Sequence, residues 1–94
     1  MKIKLNNLFL SALKDIKEFI ALDSSFYAQK FNDDVFTKIE TLSFMPKKCR
    51  KSVISSDENV RDLIFKGYVI TFRISQDCIE VLYIFKENEP KFRV

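Results

Sequence analysis

The stretch of sequence that decides the fold is residues 58–86, ENVRDLIFKGYVITFRISQDCIEVLYIFK. Apolar, β-branched and aromatic residues fill three short runs within it, at 60–66, 68–74 and 79–85. The two connections between the runs, Lys66-Gly67 and Ser75-Gln76-Asp77, are short and rich in turn-forming residues, which is typical of antiparallel hairpins. The stretch therefore predicts a three-stranded antiparallel meander. Gly67, the only glycine in the chain, can supply a positive φ angle in its first turn.

The middle run, residues 68–74, alternates as a strand with two different faces does. Its side chains divide into two sets that point to opposite sides: Tyr68, Ile70, Phe72 and Ile74, then Val69, Thr71 and Arg73. We expect the first, fully apolar set to pack against helices and the second set to lie on a face that is partly open. Arg73 is unusual there, because a purely structural sheet would place threonine or lysine on a central strand at lower cost.

The residues at the amino terminus predict a strand and a helix. Residues 1–5 alternate apolar side chains with lysine, as a short strand does. Apolar residues then recur at steps of three and four over residues 7–22, which predicts an amphipathic helix that Asn6 or Asn7 can cap. The apolar stripe of this helix consists of Phe9, Ala12, Leu13, Ile16, Phe19 and Ile20.

A second helix is predicted after the break at Asp23-Ser24-Ser25, and we expect Pro46 to end it, because proline cannot continue the hydrogen-bond ladder. Its apolar stripe consists of Phe26, Ala28, Phe31, Val35, Ile39 and Leu42. Both stripes are interpreted as core, and a basic and polar loop, 47–59, leads into the meander. The order β-αα-βββ predicts an α+β fold in which a helix hairpin packs on one face of a small, mainly antiparallel sheet.

Length and composition limit the possible functions. The 94 residues are expected to form a single domain, 1–94, and no apolar run approaches the roughly 18 residues that cross a bilayer. Cys49 and Cys78 are the two cysteines and the chain has no histidine, which excludes a Cys/His metal site and a histidine-based triad. We expect two reduced thiols, no metal, no cofactor, no signal peptide and a cytoplasmic location.

The net charge of +3 is small, but the positive charges are clustered. Lys47, Lys48, Arg50 and Lys51 place four cations within residues 46–51. Further cations near the carboxyl end are Lys86, Lys91 and Arg93. Such a cluster is commonly only solvated surface. If the sheet brings it beside Arg61 and Arg73, the combined patch would instead suit a polyanion or an acidic partner.

The chain resembles the RelE/ParE superfamily of bacterial toxins over essentially its whole length. The resemblance rests on the order β-αα-βββ and on three segments: residues 42–46 (LSFMP), 60–63 (VRDL) and 67–74 (GYVITFRI). It implies a toxin of a type II toxin–antitoxin module. It also implies a partner, a small cognate antitoxin whose disordered segment wraps the toxin and neutralises it.

The superfamily contains two branches with different targets. Members that cut messenger RNA in the ribosome need cations to stabilise the developing phosphate charge, together with acid–base groups. The resemblance matches Arg61 and Arg73 to recurrent basic positions, while Val69 stands where the ribonucleases often have arginine. Lys86 stands where many relatives have histidine, and Tyr83 could offer a phenol, although its alternation with neighbouring apolar residues favours a core aromatic.

Three hypotheses follow for the function. The favoured one is a ParE-like toxin that inhibits DNA gyrase without chemistry of its own. The first alternative is a RelE-like endoribonuclease, with the ribosome and messenger RNA as partners and Arg61, Arg73, Tyr83 and Lys86 as catalytic candidates. The second is a non-toxic α+β binding module. The residues predicted to bind partners are Lys47, Lys48, Arg50, Lys51, Arg61, Arg73, Lys91, Phe92 and Arg93.

The carboxyl-terminal residues 90–94, in which two cations flank an aromatic, generate a prediction for the gyrase hypothesis. We expect deletion of residues 91–94 to weaken growth inhibition while the fold survives, because a terminal segment contributes little to a core. The measurements are growth after induction and thermal unfolding of the purified variant. Unchanged growth inhibition would remove these residues from the contact surface.

Overall fold

The computed structural model describes residues 1–87 of the chain. Along these residues the elements follow in the order β1 (Lys2–Leu5), α1 (Asn7–Ala21), α2 (Ser25–Glu40), β2 (Arg50–Lys51), β3 (Val60–Phe65), β4 (Tyr68–Ile74) and β5 (Cys78–Lys86). Short 3-10 turns at Thr41–Ser43 and Pro46–Lys48 connect α2 to β2. The predicted α+β fold with the order β-αα-βββ is confirmed. The two-residue strand β2 is an addition, because it lies inside the segment predicted as a loop.

The strands of the described residues form one sheet in the order β1-β5-β4-β3-β2. Strand β1 runs parallel to β5, and all other neighbours are antiparallel. Lys66 and Gly67 form the turn between β3 and β4, with φ angles of 50° and 80°. Two successive positive φ angles are what a two-residue type I′ hairpin requires. The predicted meander is therefore confirmed, with β4 at the centre of the sheet.

Side-chain caps set the starts of both helices. The Asn6 side chain accepts a hydrogen bond from the backbone amide of Leu8 at 2.8 Å, and the Ser24 hydroxyl accepts one from Tyr27 at 3.1 Å. The prediction that the second helix extends to Pro46 is wrong, because α2 already ends at Glu40. Beyond it, hydroxyl groups of the 3-10 turn donate to backbone carbonyls of the last helical turn and compete with the α-helical ladder.

The main core lies between the helices and one face of the sheet. Ile70 and Phe72 of β4 are fully buried there, as the alternation of β4 predicts. From α2 the core includes Phe31, Val35 and Ile39, as predicted. The Tyr68 ring also packs on this side, with its centroid 5.0 Å from that of Phe31. The helix-facing set of β4 is thus confirmed.

The other face of the sheet, which we call the helix-free face, differs from the prediction. It is closed at Val69 and Thr71, each only 1% exposed, and only Arg73 of this set is exposed. Residues 52–57, which we call the strap, fold against this face. The backbone amide of Val53 in the strap donates to the Asp62 carboxylate at 3.2 Å. The prediction of a partly open face is therefore wrong except at Arg73.

Strand β5 contains a β-bulge that the sequence pattern does not predict. Thr71 pairs with Tyr83, but the next residue of β4, Phe72, pairs with Val81. Leu82 is therefore the extra residue on β5. An extra residue shifts the alternation of side chains by one position, so residues beyond the bulge change face.

The bulge keeps apolar side chains on the helix side along all of β5. Ile79 and Val81 before the bulge and Ile84 after it belong to the same core, each at most 1% exposed. Tyr83 and Phe85 consequently lie on the helix-free face, where their ring centroids are 6.2 Å apart. The predicted alternation of Tyr83 with Val81 is broken by the bulge, and Tyr83 is half-buried outside the main core.

Burial of Phe72 and exposure of Phe44 give a matched pair of variants. Phe72→Ala should lower the free energy of unfolding by about 3–5 kcal/mol, because a buried phenyl group is replaced by a cavity. That loss is large against the total stability of about 5–15 kcal/mol that is usual for a domain. Phe44→Ala, at a position that is 83% exposed, should change it by less than about 0.5 kcal/mol. Urea unfolding measures both, and equal losses would contradict the assigned burial.

Candidate partner-binding surfaces

Arg61 lies on the helix side of the sheet and is engaged with the main chain. Its Nε donates to the carbonyl oxygen of Glu58 at 2.8 Å, and its Nη1 donates to Cys49 at 3.1 Å and to Lys47 at 3.4 Å. The guanidinium thus ties the start of β3 to the 3-10 turn that carries Lys47 and Lys48. Its donors on Nε and Nη1 are used inside the molecule.

Arg73 lies on the opposite side of the sheet from Arg61. Arg61 pairs with Phe72, and Arg73 is the next residue of β4, so the two arginines project from opposite faces. The Arg73 side chain is exposed, and its guanidinium makes no hydrogen bond or ion pair within residues 1–87. Its cross-strand neighbour Glu80 instead accepts a hydrogen bond from the Asn6 side chain at 3.1 Å. The sheet does not bring the two predicted arginines together.

The cations of β2 are both paired. Asp62, only 2% exposed, accepts hydrogen bonds from Thr71 Oγ1 at 2.9 Å and from Arg50 Nη2 at 3.3 Å. Lys51 forms an exposed ion pair with Glu58 at 3.1 Å, and this hydrogen bond is the main reason that the pKa of Glu58 is lowered. Arg50 and Lys51 therefore contribute less free positive charge than their sequence suggests.

Lys47 and Lys48 are exposed and make no hydrogen bond or ion pair through their side chains within the described part of the chain. They line an open groove of about 780 Å³ at one end of the sheet, which we call the terminal groove. Among its lining residues are Met1, Phe44, Met45, Pro46, Lys47 and Lys48. Phe44 is 83% exposed and Met45 56% exposed. This groove combines apolar side chains with free lysines.

Two further grooves contain the remaining catalytic candidates. A groove of about 330 Å³ on the helix-free face is lined by Arg73 and Tyr83 and otherwise mainly by apolar side chains such as Leu82. Another, of about 440 Å³ between α1 and β5, contains Lys86, whose Nζ lies 5.8 Å from the Phe19 ring centroid. Tyr83 lines both grooves, so it shares one with Arg73 and the other with Lys86, while Arg61 lines neither.

The tip of the helix hairpin is a surface that sequence reasoning missed. Phe19 is 65% exposed and Phe26 70% exposed, although both belong to stripes predicted as core. Leu22 and Tyr27 are exposed beside them. Phe19 lies next to Lys86, the last residue of β5, and the chain from 20 to 26 continues past the end of the sheet. Within residues 1–87, nothing covers these side chains.

The remaining predictions concern the tail, the thiols and metals. Lys91, Phe92 and Arg93 lie outside the described residues. Cys49 and Cys78 are not joined in a disulfide, and burial raises the pKa of the Cys49 thiol, which keeps it protonated. Within residues 1–87, no group of three or more histidine, cysteine, aspartate or glutamate side chains could hold a metal ion. None of the described helices is long and apolar enough to span a bilayer.

Comparison with known proteins gives two findings. Residues 3–90 match the family model described as the ParE toxin of the type II toxin–antitoxin system parDE. The fold is similar to a solved structure from the chromosomal ParDE TA system of P. aeruginosa, with a TM-score of 0.76 and 20% sequence identity. The similarity covers 92% of this chain and 95% of that chain. The chain matches no curated protein.

The hydrogen bonds of Arg61 predict a local effect of its removal. Arg61→Ala should speed hydrogen exchange at the Lys48 and Cys49 amides by about tenfold, because the turn loses the charged donor that holds its carbonyls. Lys51→Ala removes only an exposed ion pair and serves as the control. If the β4 amides also exchanged faster in the Arg61 variant, the effect would be global, and the assignment of a local clamp would be wrong.

Proposed function

Because the chain belongs to the ParE toxin family of type II toxin–antitoxin systems, we propose that it stops bacterial growth by binding DNA gyrase, with no chemistry of its own. As the toxin of such a module, it has a cognate antitoxin as a partner. The proposed site of action is the cytoplasm, where gyrase works. Gyrase is proposed as the target from the positions of the charged residues on the surface.

The observation that carries the proposal is the separation of Arg61 from Arg73. Cleavage of RNA requires cations that converge on one phosphate, because stabilisation of the developing charge depends on donors placed within hydrogen-bond distance. Arg61 and Arg73 point to opposite faces of the sheet, and Arg61 already donates to three backbone carbonyls. This arrangement supports a binding function over a phosphate-cleaving one.

The acid–base groups support the same choice. The sequence has no histidine, the residue whose ordinary pKa lies close to neutral pH. Lys86, which stands where many relatives carry histidine, lies over the Phe19 ring and not in the groove of Arg73. A toxin that only blocks gyrase has no need of such groups.

The RelE-like alternative is favoured by one observation. Arg73 is exposed, makes no ion pair within the described residues and shares a mainly apolar groove with Tyr83. An arginine and a phenol could act on a bound phosphate without histidine. This alternative makes Arg73 the residue on which any ribonuclease activity depends.

Two reactions with the purified toxin separate the proposals. We expect it to inhibit supercoiling of relaxed plasmid by gyrase and to leave transcripts intact in a ribosome-containing translation reaction read by primer extension. Arg73→Ala should retain its effect on gyrase, and Lys4→Ala provides a matched cation control on the same face of the sheet. The cognate antitoxin should reverse the inhibition.

Codon-phased cuts in messenger RNA would contradict the gyrase proposal if they disappeared in Arg73→Ala but persisted in Lys4→Ala. That result would assign the chain to the ribonuclease branch. If a folded chain that still binds its antitoxin neither inhibits supercoiling nor causes cuts, this result would favour the non-toxic binding module.

A further inference from the structure

We infer that the terminal groove is the surface that docks onto gyrase, with Phe44 as its apolar anchor and Lys47 and Lys48 as its charged rim. This inference rests on the proposed function and specifies a contact surface for it. The partner it requires is an acidic segment of the folded gyrase that presents an apolar side chain. The cognate antitoxin and nucleic acid are the competing occupants.

Apart from Ile74, which belongs to the main core, the apolar residues of the groove do not contribute to the core cluster. Phe44 and Met45 are largely exposed and lie outside the main core cluster. Met1, across the groove, is 49% exposed as well. Aromatic side chains and methionine are the residue types enriched at the centres of protein interfaces, and methionine adapts to irregular partner surfaces. Exposed side chains of these types gathered around one concave surface indicate a binding site.

The charge of the groove selects an acidic partner. Lys47 and Lys48 form no ion pair within residues 1–87, whereas the neighbouring cations Arg50 and Lys51 are both paired. The carboxylates that pair with those two cations are Asp62 and Glu58. Two free lysines beside an apolar centre would steer an acidic surface toward the groove.

The groove is also held in a fixed shape. Each of its two 3-10 turns is closed by backbone hydrogen bonds, and Pro46 restricts the backbone between Met45 and Lys47. Arg61 donates to the carbonyls on either side of Lys48, at Lys47 and Cys49. Arg61 is therefore a positioning residue that acts through the turn. It is not assigned a direct contact with gyrase.

A preformed groove fits a folded enzyme better than it fits the antitoxin. A disordered segment orders itself on binding and can follow an extended surface, so it gains little from a rigid pocket. A folded partner cannot adapt in this way, and its affinity depends on a surface that is already shaped. Nucleic acid is less suited, because Phe44 is the only aromatic among the described lining residues that could stack on a base, and the two lysines do not form a track.

The test compares single-surface variants in the supercoiling reaction with purified gyrase holoenzyme. Phe44→Ser should raise the toxin concentration for half inhibition by at least about tenfold, as expected when an aromatic anchor is removed. The double variant Lys47→Glu/Lys48→Glu should raise it by a similar factor and reduce its dependence on salt. Thermal unfolding should show that both variants are folded.

Matched controls lie outside the lining of the terminal groove. Phe26→Ser removes an aromatic that is 70% exposed at the hairpin tip, and Lys4→Glu/Lys14→Glu reverses two exposed lysines. Both should inhibit supercoiling within about twofold of the unaltered toxin. The affinity of Phe44→Ser for the cognate antitoxin, measured by calorimetry, should also stay within about twofold.

Four outcomes would overturn the inference. If the unaltered toxin inhibits gyrase and Phe44→Ser and the double lysine variant inhibit it equally well, the groove is not the contact while the proposed function stands. If Phe44→Ser loses antitoxin affinity and keeps gyrase inhibition, the occupant is the antitoxin. If the toxin binds plasmid in the absence of gyrase and the lysine variant does not, the occupant is nucleic acid. A toxin without any effect on gyrase removes the proposed function and this inference together.

Discussion

The buried carboxylate of Asp62 is the constraint on which the helix-free half of the molecule depends. A carboxylate that is 2% exposed is costly to desolvate, and the cost is offset here by three donors: Thr71, the Val53 amide and Arg50. These bonds join β3 to β4 through Thr71 and to the continuous segment of β2 and the strap through Arg50 and Val53. The strap therefore closes over the sheet, and Arg73 is the residue of this face of β4 that stays exposed.

The bonds that form on folding determine which positive charges are available to a partner. Arg50 is attached to Asp62, and Arg61 is attached to three carbonyls around the 3-10 turn. Within residues 1–87, Arg73, Lys47 and Lys48 form no ion pair, and they lie on two different parts of the surface. The net charge of +3 would not reveal this distribution, because the ion pairs and main-chain bonds are made by folding. Of the described cations that the sequence predicts to bind partners, these three are therefore the ones whose charge is available to a partner.

Much of the fold could be predicted from local pattern, and the rest depends on tertiary context. Gly67 and the alternation of β4 were sufficient for the meander, because a tight turn and a strand with two distinct sides leave clear local signals. The bulge at Leu82 left no local signal, since residues 79–85 are mainly apolar on both faces. Their sequence therefore does not show which side chains share a face. Phe19 and Phe26 have the spacing of core residues, but burial requires a sheet beneath them. Arg61 matched a site position in sequence, whereas only the structure shows its bonds to carbonyls.

The fold by itself does not decide between gyrase and the ribosome, because a shared architecture can serve different targets. The target depends on the chemistry of the surface, and the exposed residues differ between the two ends of β4. At the Tyr68 end, the exposed aromatics of the hairpin tip lie beside a mixed-charge helix surface without a clamp on their shape. At the Ile74 end, Phe44 lies beside free lysines on turns held by Arg61. Adaptable and rigid surfaces suit different partners, so the Ile74 end is the one that fits the folded enzyme of the proposal.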